Sequence, residues 1–213
     1  MTGERRKFTR KSEDARREAL IAAALELIAE GGPTAATVRA IAARAGVTPG
    51  LIRHYFDGKD DLTREAYRAM MAAMQADNTT VLGPATADPA TRLAGFVTAA
   101  LRPPVMDPHR MGLWAGFIHQ VRSDPDMAAV HAETYLRYRD LLESLIADLG
   151  RHEASALRGL AIACNGVIDG LWLEGSALPA AFAPGELERI GLMAVGAILG
   201  LDLLSRHPAE EQP

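Results

Sequence analysis

Residues 37 to 62 constrain this chain more than any other segment, because they combine two helix starts with one tight turn. Thr37 is a favourable N-cap for a first helix, and Gly46 can adopt the positive φ that a sharp helix-to-helix turn requires. Thr48 is a second N-cap, and Pro49 takes the first helical position, where its missing N–H is no loss. This order of signals predicts a helix-turn-helix, whose second helix enters the major groove of DNA.

The second helix of this motif has an apolar side and a polar side. Its apolar residues are Leu51, Ile52, Tyr55 and Phe56. The residues left for an outside partner are Thr48, Pro49, Gly50, Arg53 and His54. Small residues at the helix start allow the backbone to approach DNA, and the first N–H groups favour a phosphate. The alternative is an ordinary helical hairpin with incidental polar residues, which the coincidence of so many motif signals disfavours.

The rest of the chain predicts an all-α fold with about nine helices, a three-helix head followed by a helical body. The sequence is rich in Ala and Leu and has almost none of the apolar–polar alternation that is typical of strands. The predicted regions are a basic flexible arm at 1–12, a helix-turn-helix DNA-binding domain at 13–62 with its motif at about 36–56, an effector-binding and dimerisation domain at 63–206, and a polar tail at 207–213.

The charge of the chain is unevenly distributed. The formal net charge of −4 argues against non-specific binding to nucleic acid. However, the first 76 residues hold 13 Lys and Arg against 10 Asp and Glu, whereas the remainder holds 10 against 17. Five of the basic residues lie in the arm, so it can follow phosphates or the minor groove beside the site. A solvated, disordered tail is an equally open interpretation.

The sequence shows no chemistry of an enzyme or of a cofactor protein. It has no His, Cys, Asp and Glu cluster at zinc-like spacing, no glycine-rich phosphate loop and no context of an activated nucleophile. We therefore expect no metal, no cofactor and no catalytic residue. The single Cys164 excludes a disulfide within one chain, and no apolar run approaches a membrane span or a signal peptide. A cytoplasmic protein is the expectation.

The motif resembles the DNA-binding signature of the TetR family of bacterial transcription regulators. The resemblance implies contacts with DNA from both helices of the motif and from the start of the next helix. These residues are Thr37, Arg39, Thr48, Pro49, Gly50, Arg53, His54, Tyr55 and Lys59. Position 53 departs from the family, which commonly has tyrosine there. Because arginine can bind guanine or clamp a phosphate, the base preference at this position cannot be carried over.

A second resemblance covers the body. Residues 165–174, with 110–114 and 122–125, are similar to the BetI-type branch of the family, whose prototype responds to choline. The last two predicted helices, about 153–176 and 185–205, are apolar on more than one face and rich in glycine. The family dimerises through its last two helices, which implies a homodimer. Packing of these faces within one chain is the alternative.

The resemblance to this branch also implies a small-molecule effector site, with a cationic ligand as one option. A quaternary ammonium group could lie over Trp114 and Trp172 close to Asp169, where cation–π and Coulomb attraction would bind it. The candidate pocket residues are Met70, Met74, Phe96, Trp114, Phe117, His119, Tyr138, Asp169 and Trp172. The alternative is that both tryptophans belong to the core.

Together these patterns predict a sequence-specific DNA-binding transcription regulator. By resemblance it is a repressor that binds a palindromic operator as a homodimer and is released by a small molecule. Its expected partners are double-stranded DNA, a second copy of the chain and an unknown effector, with no membrane. The alternative function is a helical small-molecule-binding protein or enzyme with a vestigial helix-turn-helix.

Overall fold

The structure is a computed structural model that describes residues 3–84 and 86–206, with side chains from residue 13 onward. Within these ranges the chain forms nine α-helices and no strand, which confirms the all-α prediction. The helices are α1 (Gly3–Gly31), α2 (Val38–Arg44), α3 (Ile52–Tyr55), α4 (Lys59–Thr79), α5 (Pro89–Ala100), α6 (Pro108–Val121), α7 (Pro125–Ala147), α8 (Ala154–Ala177) and α9 (Glu186–Leu199). Single 3₁₀ turns occupy Pro49–Leu51, Pro179–Ala181 and Leu204–Arg206.

An Asp-Pro pair starts each of the three helices α5, α6 and α7. The aspartate side chain accepts a hydrogen bond from a backbone N–H of the first turn, at 3.0 Å for Asp88, 2.7 Å for Asp107 and 2.9 Å for Asp124. The proline follows at a position where no N–H is needed. These caps fix three helix starts by local chemistry alone.

Two helix ends differ from the sequence prediction. Helix α1 begins at Gly3 rather than near Glu13, so residues 3–12 of the predicted arm are helical. Helix α9 ends at Leu199, because Gly200 takes a left-handed conformation with φ +64° and its N–H bonds back to Ala197. The predicted tail at 207–213 lies outside the described residues.

The first of two compact units consists of the chain up to Met71 together with Gly112–Ala132. Its core brings α1, the motif helices and the first half of α4 together through Leu20, Ile41, Ile52 and Tyr67, all 1% exposed or less. Helix α6 also packs here. A Cβ at Gly116 would lie 3.3 Å from Ile28 and 3.4 Å from Pro33, so the glycine allows a close approach to α1. The predicted boundary at residues 62 and 63 lies inside this unit.

The second unit consists of Ala72–Met111 and the chain from Glu133 onward. Helix α5 is buried on most of its surface, including Phe96 and Leu101, and packs against α8 and α9. The buried residues of α9 are Leu187, Gly191, Leu192, Val195, Gly196 and Leu199. Helical spacing predicts an inward face of Leu187, Ile190, Ala194, Ile198 and Leu201; Leu187 is buried, whereas the other four are half-buried.

The glycines of α8 and α9 have different surroundings. On α9, a Cβ at Gly191 would lie 2.3 Å from Leu101, and one at Gly196 would lie 2.6 Å from the carbonyl oxygen of Leu201. Both therefore serve packing within the chain, which was the alternative to a dimer role. On α8, a Cβ at Gly159, Gly166 or Gly170 would meet nothing within 4 Å.

Helix α8 exposes part of its apolar surface, including Ile162 at 45% and Leu173 at 42%. It is the one helix in the described part of the chain that is long and apolar enough to cross a membrane by length and composition. Only 28% of its 18-residue apolar window is buried. One such helix is weak evidence for a membrane span, because helices of soluble proteins also pass this test.

Candidate DNA-binding surface and effector site

The first motif helix and the turn form as the sequence predicts. The Thr37 hydroxyl oxygen accepts a hydrogen bond from the backbone N–H of Ala40 at 3.1 Å, which caps α2. Gly46 has φ +66°, a conformation that favours glycine. The following N–H, that of Val47, donates to the carbonyl of Ala42 at 2.9 Å and closes the turn.

The second motif helix starts differently from the prediction. Thr48 has the extended backbone of an N-cap, but its side chain makes no capping hydrogen bond. The helix opens with the 3₁₀ turn Pro49–Leu51, in which the N–H of Leu51 donates to the carbonyl of Thr48 at 3.0 Å, and only then continues as α3. Because the tighter turn uses the backbone carbonyl of Thr48, its hydroxyl remains available to a phosphate.

The predicted polar edge of this helix faces outward. Its exposed residues are Thr48, Pro49, Gly50, Arg53 and His54. On the opposite side Ile52 is 1% and Phe56 4% exposed, so these two side chains anchor the helix in the first unit. Tyr55 is half-buried, and its ring lies edge-on to His54 with 4.9 Å between ring centroids. The helix is held from one side and leaves the other side open to DNA.

The arginines of the first unit divide into structural and available groups. Arg44 binds Glu30 through two hydrogen bonds of 2.9 and 2.8 Å and Glu26 through a third of 2.9 Å, which ties α2 to α1. Arg39 and Arg53 are exposed, and within the described residues neither forms an ion pair. Their guanidinium groups are therefore available to phosphates or bases.

A carboxylate on α4 joins two helices of the first unit. Glu65 accepts hydrogen bonds from Arg17 of α1 and, at 2.6 Å, from Arg68 of its own helix. Partial burial raises the pKa of Glu65, but the two arginines outweigh this effect and hold its pKa below the usual range. The Arg17 guanidinium also lies 5.1 Å above the Phe56 ring centroid, so one ion pair supports both α4 and the end of α3.

Lys59 and Arg64 occupy the beginning of α4. Lys59 is half-buried and, in the described part of the chain, its ammonium group has no ion-pair partner. Arg64 lies 3.8 Å from Asp61, 4.0 Å from Asp124 and 3.5 Å from Asp126. Arg64 thus connects α4 to the corner between α6 and α7, whereas Lys59 is the cation left for a phosphate.

The nine predicted effector residues fall into both units. The first unit contains Met70, Trp114, Phe117 and His119, and the second contains Met74, Phe96, Tyr138, Asp169 and Trp172. Within the first unit Phe117 is fully buried against the Tyr67 ring, with centroids 4.8 Å apart, whereas His119 is exposed. Phe117 is thus a core side chain of its unit, and His119 lies on the surface.

Trp172 fits the core alternative better than an aromatic ligand box. It is 8% exposed, and its indole N–H donates to the carbonyl of Val105 at 3.0 Å inside the second unit. Phe96 and Tyr138 do come together, with ring centroids 5.1 Å apart. A cavity of about 370 Å³ beside Met106, Phe182, Leu187 and Glu188 is lined by none of the nine predicted residues.

A cluster of five polar side chains in the second unit includes two of the predicted residues. We call it the acceptor cluster; its members are Asn78, Tyr135, Tyr138, Asn165 and Asp169. Tyr135 donates its hydroxyl proton to Asp169, and the Asn165 amide donates to Tyr135 at 2.6 Å and to Asp169 at 2.8 Å. The Asn78 amide donates to Tyr138 at 3.2 Å. Three helices, α4, α7 and α8, therefore meet through polar groups.

Sequence reasoning missed Asn78 and Asn165 as site residues. The available signal was Asn165, an amide between the apolar residues Ala161 and Ile168 of α8, both of which are buried. A buried amide needs partners, so its position indicated a polar site inside the body.

Burial dominates the electrostatics of this cluster. It raises the pKa of Asp169, although the hydrogen bonds from Tyr135 and Asn165 act in the opposite direction. Burial and the nearby Asp169 carboxylate raise the pKa of Tyr135 to about 12. The pKa of Tyr138 is raised as well, first by burial and then by Asp169. Both tyrosines therefore remain protonated, and the carboxylate would be stabilised by a cation.

Known proteins with similar sequences agree with this geometry. The family model described as "BetI-type transcriptional repressor, C-terminal" matches residues 89–200, and the model of bacterial regulatory proteins of the tetR family matches residues 20–66. The HTH-type transcriptional regulator BetI of Burkholderia lata is 32% identical over 163 residues, which cover 76% of this chain and 82% of the relative.

Solved structures show the same fold. A putative transcriptional regulator from Pseudomonas aeruginosa PAO1 superposes with a TM-score of 0.80 at 31% identity, covering 91% of this chain and 95% of the other. A putative transcriptional regulator from Saccharomonospora viridis, solved in complex with choline, has a TM-score of 0.68 at 18% identity, covering 88% and 96%. This chain therefore belongs to the TetR family of DNA-binding transcription regulators, as a member of its BetI type.

Proposed function

We propose that this regulator is a repressor that binds a palindromic operator as a homodimer and leaves it when a small molecule binds. The observation that carries the proposal is the exposed polar edge of the second motif helix, from Thr48 to His54, with its opposite side buried. The proposed DNA contacts are Thr37, Arg39, Thr48, Pro49, Gly50, Arg53, His54, Tyr55 and Lys59. The alternative, an enzyme with a vestigial motif, has no support, because the family and the named relatives are transcription regulators.

The open side of α8 supports dimerisation. Gly159, Ile162, Gly166, Gly170 and Leu173 follow one another at helical spacing, with open space at the three glycines and both apolar side chains exposed. Small residues flanked by apolar ones allow a second helix to pack closely. A second copy related by a two-fold axis would pack its own α8 against this face and bury both apolar surfaces. The same symmetry would present two motif helices to the two half-sites of a palindrome.

The second unit supports effector control. Phe96, Tyr138 and Asp169 provide two rings and a carboxylate that a cation would favour. The solved neighbour that contains choline is consistent with a cationic ligand, although its low identity supports the fold alone. Of the other candidates in this unit, we propose Met74 and Trp172 only as secondary lining, since Trp172 is already bonded to Val105.

The mechanism is a shift between two states of the dimer. In one state the two recognition helices match successive major grooves, about 34 Å apart, and in the other they do not. The effector moves this equilibrium only by the difference in its affinity for the two states, typically about 1–3 kcal/mol. We place this action in the cytoplasm, where the operator DNA of a bacterial regulator lies. The basic arm would add contacts with phosphates beside the operator.

The test is a binding titration on the DNA upstream of the protein's own gene. We expect tight binding to a duplex that contains a palindrome, weak binding to a scrambled duplex, and two copies of the chain per palindrome. Equal affinity for both duplexes across salt concentrations would contradict sequence-specific regulation, because phosphate contacts alone do not distinguish sequences.

A further inference from the structure

Buried amide oxygens distinguish the acceptor cluster of the second unit. Asn78 is fully buried and Asn165 is 4% exposed, yet the side-chain carbonyl oxygen Oδ1 of each has no hydrogen-bond partner. An unpaired buried acceptor is destabilising, because it has lost its bonds with water without replacement. Such an oxygen next to a carboxylate indicates a place for a further donor.

The side-chain donors nearest to the Asn165 oxygen are already engaged. The Asn165 amide N–H groups donate to Tyr135 and Asp169, and Tyr135 donates its proton to Asp169. Exchanging the amide N and O of Asn78 would let its oxygen accept the Tyr138 hydroxyl proton. The same exchange at Asn165 would deprive Asp169 of a donor, so the Asn165 oxygen is the one that stays unpaired.

The carboxylate of the cluster also lacks a cation. Arg139 lies one turn along α7 from Tyr135, and its charge lowers the pKa of Tyr135. However, Arg139 Nε is itself buried without a hydrogen-bond partner, and among the described residues Asp169 has no ion-pair partner. The cluster therefore presents amide oxygens beside a carboxylate with no positive charge paired to it.

We propose that the acceptor cluster binds the ammonium group of a protonated primary or secondary amine in preference to a quaternary ammonium group. An N–H-bearing ammonium donates to Asp169 and to the adjacent Asn165 oxygen, while the Tyr138 and Phe96 rings lie beside its aliphatic part. A quaternary ammonium group neutralises the carboxylate equally, but its methyl groups leave the amide oxygens unpaired. This inference rests on the proposed function, because it names the effector class of the same site.

Matched ligand pairs test the proposal on the unmodified protein. Ethanolamine and choline differ only by three N-methyl groups, and putrescine can be compared in the same way with its fully N-methylated counterpart. By calorimetry we expect the N–H-bearing member of at least one pair to bind tenfold or more tightly, a factor that corresponds to about 1.4 kcal/mol. Equal or tighter binding of the methylated members overturns the proposal, and so does the absence of binding by both N–H-bearing members up to about 10 mM.

A variant tests whether the preference comes from the amide of Asn165. Asn165→Leu removes the amide oxygen, together with its N–H groups, and keeps the branched shape; Gln120→Leu, on α6 in the other unit, is the control. We expect the ratio of affinities within a pair to fall toward one in Asn165→Leu and to stay unchanged in the control. A ratio that survives in Asn165→Leu overturns the assignment. Asn165→Ala is the second variant if Asn165→Leu does not fold, as judged by its melting curve.

DNA binding separates this inference from the proposed function. If the protein binds its palindrome and choline releases it better than ethanolamine, the regulator function stands and the amine preference is wrong. If the protein binds no operator, the proposed function fails whichever ligand binds. If ethanolamine or putrescine binds with the expected preference and also weakens operator binding, both are supported.

Discussion

Arg53 is the proposed DNA contact from which we expect the largest effect on the choice of operator. It replaces the tyrosine that is common at this position in the family, and its guanidinium group is exposed without an ion pair in the described part of the chain. Removing it should leave the fold intact, because an exposed side chain without an ion pair adds little to stability. Lys59, the first residue of α4, also has no ion-pair partner in the described part of the chain, although it is half-buried. The two residues can therefore be compared as base-reading and phosphate-binding cations.

The first prediction distinguishes these roles. We expect Arg53→Ala to weaken binding to the operator by about 1–3 kcal/mol and to reduce discrimination against other sequences. Lys59→Ala should weaken binding to all duplexes alike and reduce the slope of log K against log salt by about one. Fluorescence anisotropy with operator and scrambled duplexes at several salt concentrations measures both effects. The exposed Arg122→Ala is the control, and equal losses on both duplexes in Arg53→Ala would assign Arg53 to the backbone.

The second prediction concerns Glu65, which joins α1 to α4. Its folded pKa lies below the unfolded value, so the ionised form stabilises the fold above the unfolded pKa of about 4.3. This contribution is lost as the pH falls through the folded pKa. We expect Glu65→Gln to be less stable at pH 7 by about 1 kcal/mol and to lose less further stability on acidification than the parent protein. Urea unfolding between neutral and acidic pH measures the difference.

The control for this prediction is Glu18→Gln. Glu18 is an exposed residue of α1 that forms no ion pair within the described residues, so its replacement should change stability by less than about 0.5 kcal/mol. If Glu65→Gln and Glu18→Gln behave alike at both pH values, the Arg17–Glu65 contact does not stabilise the first unit.

At the scale of elements, α8 and α9 use their glycines for different contacts. Gly196 of α9 faces the backbone carbonyl of Leu201, which a side chain cannot displace cheaply, whereas Gly166 of α8 faces open space. We expect Gly196→Ala to destabilise the protein by about 1–3 kcal/mol, as overpacking does. Gly166→Ala should be neutral or stabilising by up to about 1 kcal/mol in the monomer, since alanine is the better helix former.

Thermal or chemical unfolding of the two variants measures this difference directly. If Gly196→Ala is as stable as the parent protein, the Leu201 carbonyl can move away from position 196 at little cost, and the prediction is wrong. The stability of Gly166→Ala should be measured at low protein concentration, because in a dimer that uses this face the substitution would be destabilising instead.

The same two helices show how far sequence patterns determine structure. The spacing of Ala161, Cys164, Ile168 and Trp172 predicts one buried stripe on α8, and all four are buried. Burial raises the pKa of the Cys164 thiol to about 11. The inward face of α9 was not predictable, because apolar residues occupy more than one side of the helix and periodicity leaves its rotation undefined. Gly191 and Val195, rather than Ile190 and Ala194, face the core.

The candidate sites show the same limit. The outward edge of the motif helix followed from local signals between Thr37 and Phe56, and the structure confirms its exposure. The acceptor cluster did not follow, because Asn78 and Tyr138 are 60 residues apart and Tyr135 and Asp169 are 34 apart. Such pairs depend on which helices pack together, and a single sequence carries no direct signal for that.

At the scale of the whole molecule, a palindromic operator needs two motif helices, and one chain supplies one. The open face of α8, from Gly159 to Leu173, is the surface that a second copy would cover. Burying it would also explain why a helix of mean hydropathy 1.3 is only 28% buried in one chain. Dimerisation and operator binding should therefore be lost together.

The fourth prediction tests this coupling with two matched glycine variants. A Cβ at Gly170 of α8 or at Gly112 of α6 meets nothing within 4 Å, so one chain tolerates a side chain at either position. We expect Gly170→Leu to weaken the dimer at least tenfold, because a leucine prevents close approach of two helices at a cost of about 1–3 kcal/mol. Gly112→Leu should remain dimeric.

Sedimentation equilibrium measures the mass, and an operator titration on the same samples should show weaker binding for Gly170→Leu alone. A Gly170→Leu dimer of unchanged stability would place the interface elsewhere, and a monomeric parent protein that still binds the palindrome would show that α8 has no role in pairing.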